Sequence, residues 1–292
     1  MNNISVVEAL KFGFDKSIKK FFFFITTFIV SALLWSGCFL LSVLVAVPFF
    51  IPALKTIKQF LPLLKALPTG GGAAQGAAMG ILIQMSQLMQ QSRLAFILLV
   101  IGVFITVILV WAFTLMISLG LLRIFLDIHD KGHSTISKLF VRPIYIFRAF
   151  VVSLLHLVVV GTPLVLISVL VYMFNLKWVA VLLAILVVVW VIYATLKLFY
   201  SNYFVIDKGQ GVIEAVKSSW RLRGAPVKLL LFGFLLLAIV LAFSIPTYML
   251  NYLHVNFPHM IWFILMVIFH LATRYFFGVI IPMGYVYIYR RL

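Results

Sequence analysis

Four side chains of the types that bind metal ions lie close together near the middle of the chain: Asp127, His129, Asp130 and His133. Carboxylates and imidazoles at such short spacing suit a transition-metal site by residue type. The competing interpretation is a turn, because the Asp-Lys-Gly sequence that starts at Asp130 recurs at Asp207 without a histidine in the place of His133. We favour the turn, and the sequence predicts no metal and no other cofactor.

The other side chains suited to chemistry lie inside long apolar runs. Arg274 follows His270 by one helical turn in the last run, and His156 lies in an earlier one. A charge within the hydrocarbon is costly unless it faces water, a partner or an anion, so these three residues are candidates for facing a ligand in a bundle interior. Hydrogen bonding to the protein and extension of Arg274 to the membrane surface are the alternatives.

Catalytic motifs do not accompany these residues. The sequence has no Gly-x-Ser-x-Gly, His-Glu-x-x-His or Walker pattern, and no carboxylate falls within a predicted membrane span. We therefore predict that the protein is not an enzyme.

The elements that position these residues are predicted from composition. The chain of 292 residues is 65% hydrophobic and 10% charged, whereas soluble domains are about 25% charged. A membrane-spanning helix takes roughly 20 apolar residues. Six windows qualify: 21–47, 94–122, 149–174, 178–196, 229–252 and 260–285. The predicted fold class is an all-α polytopic membrane protein with six transmembrane helices in a single domain, residues 1–292.

The net charge of +17 is explained better by membrane topology than by nucleic-acid binding. Most lysines and arginines lie in the two termini and in the connections after the second and fourth windows, and all six acidic residues lie on that same side. The positive-inside rule then places both termini in the cytoplasm. Anionic lipid headgroups are the expected neighbours of this basic surface, and nucleic acid is not an expected partner.

One amphipathic segment, residues 212–222, stands between two apolar windows. Its apolar residues fall on one helical face with Trp220, whereas Glu214, Lys217 and Arg221 fall on the other. A helix with this pattern is expected to lie at the membrane interface.

Two earlier segments resemble this one. Residues 6–14 follow Ser5, and Glu8 stands three positions later in a capping-box pattern. Residues 134–140 follow the Asp-Lys-Gly sequence that starts at Asp130, which matches the one at Asp207 at an offset of 77 residues. All three segments are therefore predicted to be interfacial helices.

These segments divide the chain into three tandem repeats, each an amphipathic helix followed by two spans. The first covers residues 1–122 with an insertion at 50–93, the second 123–200 and the third 201–292. A repeat with an even number of spans returns to its starting side, so the copies keep one orientation. We predict a pseudo-threefold bundle with a ring of three helices on its cytoplasmic face.

The sequence at 204–224, FVIDKGQGVIEAVKSSWRLRG, resembles the signature of a known membrane-domain family. That family is the six-span domain fused to some bacterial glycerophosphoryl diester phosphodiesterases, and it also occurs as free-standing inner-membrane proteins. Besides the acidic-Lys-Gly turn, the resemblance is carried by Glu214-Ala215, Ser219-Trp220, Arg223-Gly224 and, more loosely, by the ending YIYRRL. It implies a free-standing, multi-pass protein of the bacterial inner membrane, without the phosphodiesterase domain.

The insertion at 50–93 contains GAAQGAAMG, which places Gly72, Gly76 and Gly80 on one helical face. Small residues at this spacing allow two helices to approach closely within a membrane. A flexible loop, a re-entrant segment and a surface-lying helix are all consistent with the sequence. The insertion is our first candidate for contact with a membrane-protein partner or a second copy of the chain.

Two functions are consistent with these observations. The first is a non-enzymatic inner-membrane protein that organises lipids or membrane partners through its cytoplasmic helices. The alternative is a small transporter or channel for an anionic or amphiphilic solute, which would use the bundle interior and Arg274.

Overall fold

The computed structural model describes residues 5–65, 74–173, 177–222, 224–256 and 259–292. Within these ranges the chain is helical and has no strand. The α-helices in chain order are α1 (Val6–Lys19), α2 (Phe21–Lys65), α3 (Ala74–Gln91), α4 (Arg93–Lys131), α5 (Pro143–Met173), α6 (Lys177–Leu198), α7 (Ser201–Lys208), α8 (Val212–Arg221), α9 (Ala225–Asn256), α10 (Met260–Tyr275) and α11 (Ile281–Arg290). The predicted all-α class is confirmed.

Six helical stretches in the described ranges are long and apolar enough to cross a membrane. They are Phe21–Gln59, Arg93–Lys131, Pro143–Val171, Leu182–Lys208, Ala225–Asn256 and Met260–Arg290. Each corresponds to one predicted window, so the polytopic architecture is confirmed. Several helices continue well past the apolar window, because backbone hydrogen bonding does not stop where the hydrocarbon ends.

The chain forms two compact bodies. Body 1 comprises Met1–Val30 and Leu115–Leu292, and body 2 comprises Ser31–Thr114. These boundaries differ from those of the three predicted repeats, and the repeats remain a prediction.

In body 1, α1 lies antiparallel to the end of the last span. Near the end of α1, the carbonyl oxygen of Ser17 accepts a hydrogen bond of 2.9 Å from the Tyr275 hydroxyl. Near its start, Glu8 accepts one of 3.4 Å from the Tyr287 hydroxyl. A π-helical turn, Phe276–Ile280, joins α10 to α11 between these two contacts. The last span therefore continues alongside α1 up to Arg290.

The buried face of α1 is a stripe of small residues, Ala9, Gly13 and Ser17. The larger apolar residue Val7 lies outside this contact and is 66% exposed. Small side chains form the contact because they let two helix backbones approach closely. The predicted capping box is also wrong, since Ser5 is the N-cap residue but its side chain makes no capping hydrogen bond.

The second predicted amphipathic helix, at 134–140, is wrong as well. The chain there makes one 3-10 turn, Ile136–Leu139, before α5 begins at Pro143. The turn packs its main chain against Gly120, where a Cβ would lie 2.6 Å from the Cα of Leu139. The close contact with Gly120 of α4 therefore holds this segment as a single turn in place of the predicted helix.

The third amphipathic helix is present as α8, with Gly211 at its N-cap. Its most buried residues are the small Ala215 and Ser219, whereas Ile213 is 65% exposed. As in α1, the close contact uses small residues spaced by four.

The insertion contains a helix, α3. Gly72 lies outside the described residues, and of Gly76 only its place in α3 is described. Gly80 is exposed, and a Cβ placed there would meet no atom of the described residues within 4 Å. The described part of α3 therefore gives no close helix contact at Gly80.

Candidate functional site

Arg290 joins two carboxylates, those of Asp130 and Asp207, at the place that we call the charged end of body 1. Its Nη1 lies 2.6 Å from Oδ2 of Asp207 and its Nη2 lies 2.8 Å from Oδ1. Its Nε donates to Oδ1 of Asp130 at 3.0 Å, and Nη2 also contacts Oδ2 of Asp130. One guanidinium thus makes two-point contacts with both aspartates, the geometry in which arginine pairs most strongly.

Three helix ends meet at this cluster. Asp130 lies at the end of α4 and Asp207 at the end of α7, and each is followed by lysine and then glycine. The two glycines, Gly132 and Gly209, have φ of 74° and 64°, the left-handed conformation that commonly ends a helix. A helix C-terminus disfavours a carboxylate and favours a cation. Arg290 at the end of α11 supplies the positive charge that both aspartates require.

The cluster is only partly shielded from solvent. The exposed side-chain fractions are 15% for Asp207, 23% for Arg290 and 38% for Asp130. Tyr289 donates to Oδ2 of Asp207 at 3.0 Å, and Nδ1 of His129 lies 3.0 Å from Oδ1 of Asp130. Several hydrogen bonds therefore fix each carboxylate, so the network should stabilise the fold more than an isolated surface ion pair would.

Tyrosine rings pack beside the cluster. The ring of Tyr289 lies 5.3 Å from that of Tyr200 and 5.1 Å from that of Tyr203, centroid to centroid. The Tyr200 hydroxyl donates to the carbonyl oxygen of Tyr285 at 3.4 Å. Tyr200 and Tyr203 therefore pack against the end of the last span.

Helix α8 is fixed to its neighbours at both of its ends. Nζ of Lys197 donates to the carbonyl oxygen of Trp220 at 3.0 Å, and the Ser219 hydroxyl donates to the carbonyl oxygen of Lys197 at 2.7 Å. Nη1 of Arg148 donates to the carbonyl oxygen of Gly209 at 2.6 Å, which fixes the turn before α8. These two cations are thereby occupied with main-chain oxygens.

The outer face of α8 carries the polar residues that the sequence placed there. Glu214, Lys217 and Arg221 are exposed, and Trp220 is half-buried with its ring edge on Tyr193 at 5.9 Å. Within the described ranges, no carboxylate lies within 4.0 Å of the Lys217 or Arg221 nitrogens. Both are thus available to an external anion.

The four metal-type residues are engaged in other contacts. Asp127 pairs with Lys131 at 3.1 Å and with Lys138 at 3.8 Å, and Asp130 pairs with Arg290. Nδ1 of His133 lies 3.1 Å from the carbonyl oxygen of Lys131. Among the described residues, no group of three or more His, Cys, Asp or Glu side chains is placed to hold a metal ion.

Arg274 does not face a bundle interior. Its side chain is exposed, as is that of His270, whose Nδ1 lies 2.9 Å from the carbonyl oxygen of Met266. The neighbouring Tyr275 packs its ring 5.2 Å from that of Phe21, the first residue of the first span. Arg274 therefore lies next to the place where the last span contacts the start of the first span.

The last span is longer than its predicted apolar window. It continues as a helix to Arg290, five residues beyond the predicted end. Its final turns pack against α1 and reach the charged end.

His156 lies apart from Arg274, on α5. Its Nε2 has no hydrogen-bond partner within the described ranges, and neither does the buried hydroxyl of Ser201. Both residues line a cavity of about 10 Å³ between α5, α6, α7 and α8. That volume is close to the minimum for one water molecule. The three ligand-facing candidates are therefore not brought together in a single site.

We expect Arg274→Gln to change the free energy of unfolding by less than about 0.5 kcal/mol, since the side chain is exposed. Chemical unfolding of the purified protein in detergent micelles measures this change. A loss of several times that size would mean that Arg274 has a buried polar partner after all.

The sequence interpretation missed Arg290 because it counted that residue only as part of the basic C-terminus. A signal was present in the two Asp-Lys-Gly sequences. Two carboxylates repeated at helix ends each need a counter-charge, and an arginine near the end of the last span is well suited to supply it.

The fold and the charged end define the class of this protein as an all-α, multi-pass membrane protein. Comparison with family models, with curated proteins and with solved structures finds no match to this chain. The resemblance to the phosphodiesterase-associated membrane domain therefore stays a prediction from the residues that carry it.

Proposed function

We propose that this chain is a non-enzymatic, multi-pass protein of the bacterial inner membrane, and that its charged end binds anionic phospholipid headgroups on the cytoplasmic side. In this role it organises lipids around itself. The observation that carries the proposal is the unequal use of charge at the charged end and on the neighbouring helix α8: five of the six acidic residues have partners within the protein, whereas basic groups of α8 face outwards.

The acidic side chains are almost all engaged. Asp15 pairs with Lys19 at 3.1 Å, Asp127 pairs with two lysines, and Asp130 and Asp207 share Arg290. Glu8 accepts a hydrogen bond from Tyr287. Since the whole chain has 23 basic and 6 acidic residues, the excess of positive charge is not cancelled within the protein. Phosphate groups of the bilayer are the nearest abundant anions for it.

The proposed ring of three repeats is consistent with part of this geometry. Two of the repeats have their Asp-Lys-Gly turns in the same left-handed conformation at the glycine, and one arginine pairs with both aspartates. In this proposal Arg290 joins the two Asp-Lys-Gly turns, and α8 presents the lipid-binding surface of the third repeat.

The double variant Lys217→Gln, Arg221→Gln is expected to lower the affinity for phosphatidylglycerol about thirtyfold, because each basic residue near an anionic surface contributes about fivefold. Native mass spectrometry of the protein released from mixed phosphatidylglycerol and phosphatidylcholine nanodiscs measures which lipid is retained. Glu214→Gln is the matched control on the same helix, and it should retain phosphatidylglycerol at least as well as the natural chain.

Equal retention of the two lipids by the natural chain would refute the proposal. The cytoplasmic placement has its own test, in which Ser137→Cys is introduced together with Cys38→Ser and labelled in intact cells and in inverted vesicles. An impermeant thiol reagent should label the introduced thiol only in inverted vesicles, and labelling in intact cells would reverse the topology.

A further inference from the structure

Body 2 contains two antiparallel helical segments, from α2 and α4. Nε1 of Trp35 donates to the Thr114 hydroxyl at 3.3 Å. Further along α2, Phe49 lies close to Gly102 of α4. A Cβ on the glycine would be 2.8 Å from the Cβ of the phenylalanine. Residue numbers increase along α2 while those of the contacting residues in α4 decrease, so the two helices run antiparallel.

Beyond the contact at Gly102 the two helices leave an open groove of about 340 Å³. Its lining is apolar and includes Val47, Phe50, Ile51, Leu54, Ile57 and Leu99. These side chains are only partly covered, and the exposed fraction of Leu54 is 56%. The volume falls within the roughly 300–1,000 Å³ that is usual for small-molecule sites.

The groove has the length of one lipid chain. From Val47 to Ile57 it follows ten residues of α2, which rise about 15 Å. Half of a hydrocarbon core of about 30 Å is the same length. One acyl chain, extended as it is in a single leaflet, would match the groove from end to end.

The apolar part of α2 is also longer than a membrane crossing needs. It runs without a charged residue from Phe21 to Leu54, 34 residues, whereas roughly 20 suffice. These additional apolar residues are shielded from water by tilt of the helix, by bending at prolines such as Pro48 and Pro52, or by a bound apolar molecule. The exposed apolar groove lies in this additional part of α2, so it is the place where an apolar molecule would bind.

Positive charge lies at one end of the groove. Lys55 and Lys58 stand four residues after Ile51 and Leu54, so they lie on the same face of α2. Arg93 precedes Gly102 by nine residues and Lys58 follows Phe49 by nine, which places Arg93 level with Lys58 in the antiparallel pair. All three side chains are exposed, and residues 31–114 contain no aspartate or glutamate. The end of the groove carries only positive charge and its walls are apolar, so the ligand that complements it is an amphiphilic anion.

We infer that the groove of body 2 binds one acyl chain of an anionic phospholipid, and that Lys55, Lys58 and Arg93 hold its phosphate group. This is a second lipid site, built from residues other than those of the charged end. It goes beyond the proposed function, because it selects an individual lipid molecule by chain and headgroup together.

The probe is phosphatidylglycerol with a photoreactive diazirine on its acyl chain, in phosphatidylcholine nanodiscs that hold the full-length protein. After irradiation, peptide mapping should place the label on residues 47–57 of α2 or next to Leu99 of α4. Leu54→Trp fills the groove and should abolish this label. The double variant Lys58→Gln, Arg93→Gln should weaken binding about thirtyfold, about fivefold for each charge removed. Leu41→Trp is the matched control, since Leu41 is 53% exposed on a different face of α2.

Label that maps outside the groove would overturn the inference, as would equal labelling by the phosphatidylcholine analogue. Equal loss of the groove label in Leu54→Trp and Leu41→Trp would overturn it as well. A cross-link from the groove to a second copy of the chain, in place of a lipid label, would also contradict it. The Lys217→Gln, Arg221→Gln variant should keep its groove label. Loss of lipid binding at the charged end alone would therefore leave this inference intact, and loss at the groove alone would leave the proposed function intact.

Discussion

Replacing Arg290 with glutamine is expected to lower the free energy of unfolding by about 2–4 kcal/mol. The substitution leaves Asp130 and Asp207 close together, partly buried and without their shared cation. Two like charges at two helix C-termini then repel each other, and both interact unfavourably with the helix dipoles. Chemical unfolding in detergent, followed by circular dichroism, measures the loss.

Arg291→Gln is the matched control, because Arg291 is the exposed neighbour and lies over the Tyr287 ring at 4.6 Å. Its loss should cost about 1 kcal/mol or less. Adding Asp207→Asn to the Arg290→Gln variant should restore part of the stability, because it removes one of the two unpaired charges. An Arg290→Gln protein as stable as the control would show that the cluster is not needed to hold the three helix ends together.

Gly13→Ala and Gly120→Ala are each expected to cost up to about 3 kcal/mol, because a Cβ at either position meets main-chain atoms that cannot turn away. At Gly13 the new carbon would lie 2.3 Å from the carbonyl oxygen of Ile280, and at Gly120 it would lie 2.5 Å from that of Leu139. The first substitution should separate α1 from the last span. The second should displace the turn before α5.

Thermal unfolding in detergent compares these variants with Gly161→Ala, a glycine in α5 whose Cβ would meet no described atom within 4 Å. That control should be unchanged or slightly more stable, because alanine favours the helix. If all three variants unfold at the same temperature, the close helix contacts at Gly13 and Gly120 contribute nothing to stability.

The number and order of the spans could be predicted from sequence because crossing a bilayer is a condition on each segment separately. A helix in hydrocarbon satisfies its own backbone hydrogen bonds, so a long apolar window is sufficient to predict it. The helix at 212–221 was predictable for a related reason, since its polar and apolar residues alternate with helical spacing and Gly211 stands at its start. The polar face that carries Lys217 and Arg221 follows directly from this spacing.

The segments that depend on neighbours were predicted less well. Residues 134–140 share part of the pattern of α8, yet Pro143 and the close contact with Gly120 leave room for one 3-10 turn. In α1 the sequence pattern showed an apolar and a polar face, and contact with the last span is made by the stripe of small residues that contains Gly13. Periodicity describes both faces of a helix, and it does not say which face a neighbouring helix will cover.

The candidate site depended most on three-dimensional packing. Asp130, Asp207 and Arg290 are separated by 77 and 83 residues along the chain, and only the meeting of three helix ends brings them within hydrogen-bonding distance. Arg274 was predicted to face a bundle interior, whereas its side chain is exposed next to the contact of Tyr275 with Phe21. Facing and pairing are relations between segments, fixed by the free energy of packing them together, so composition and spacing within one segment cannot specify them.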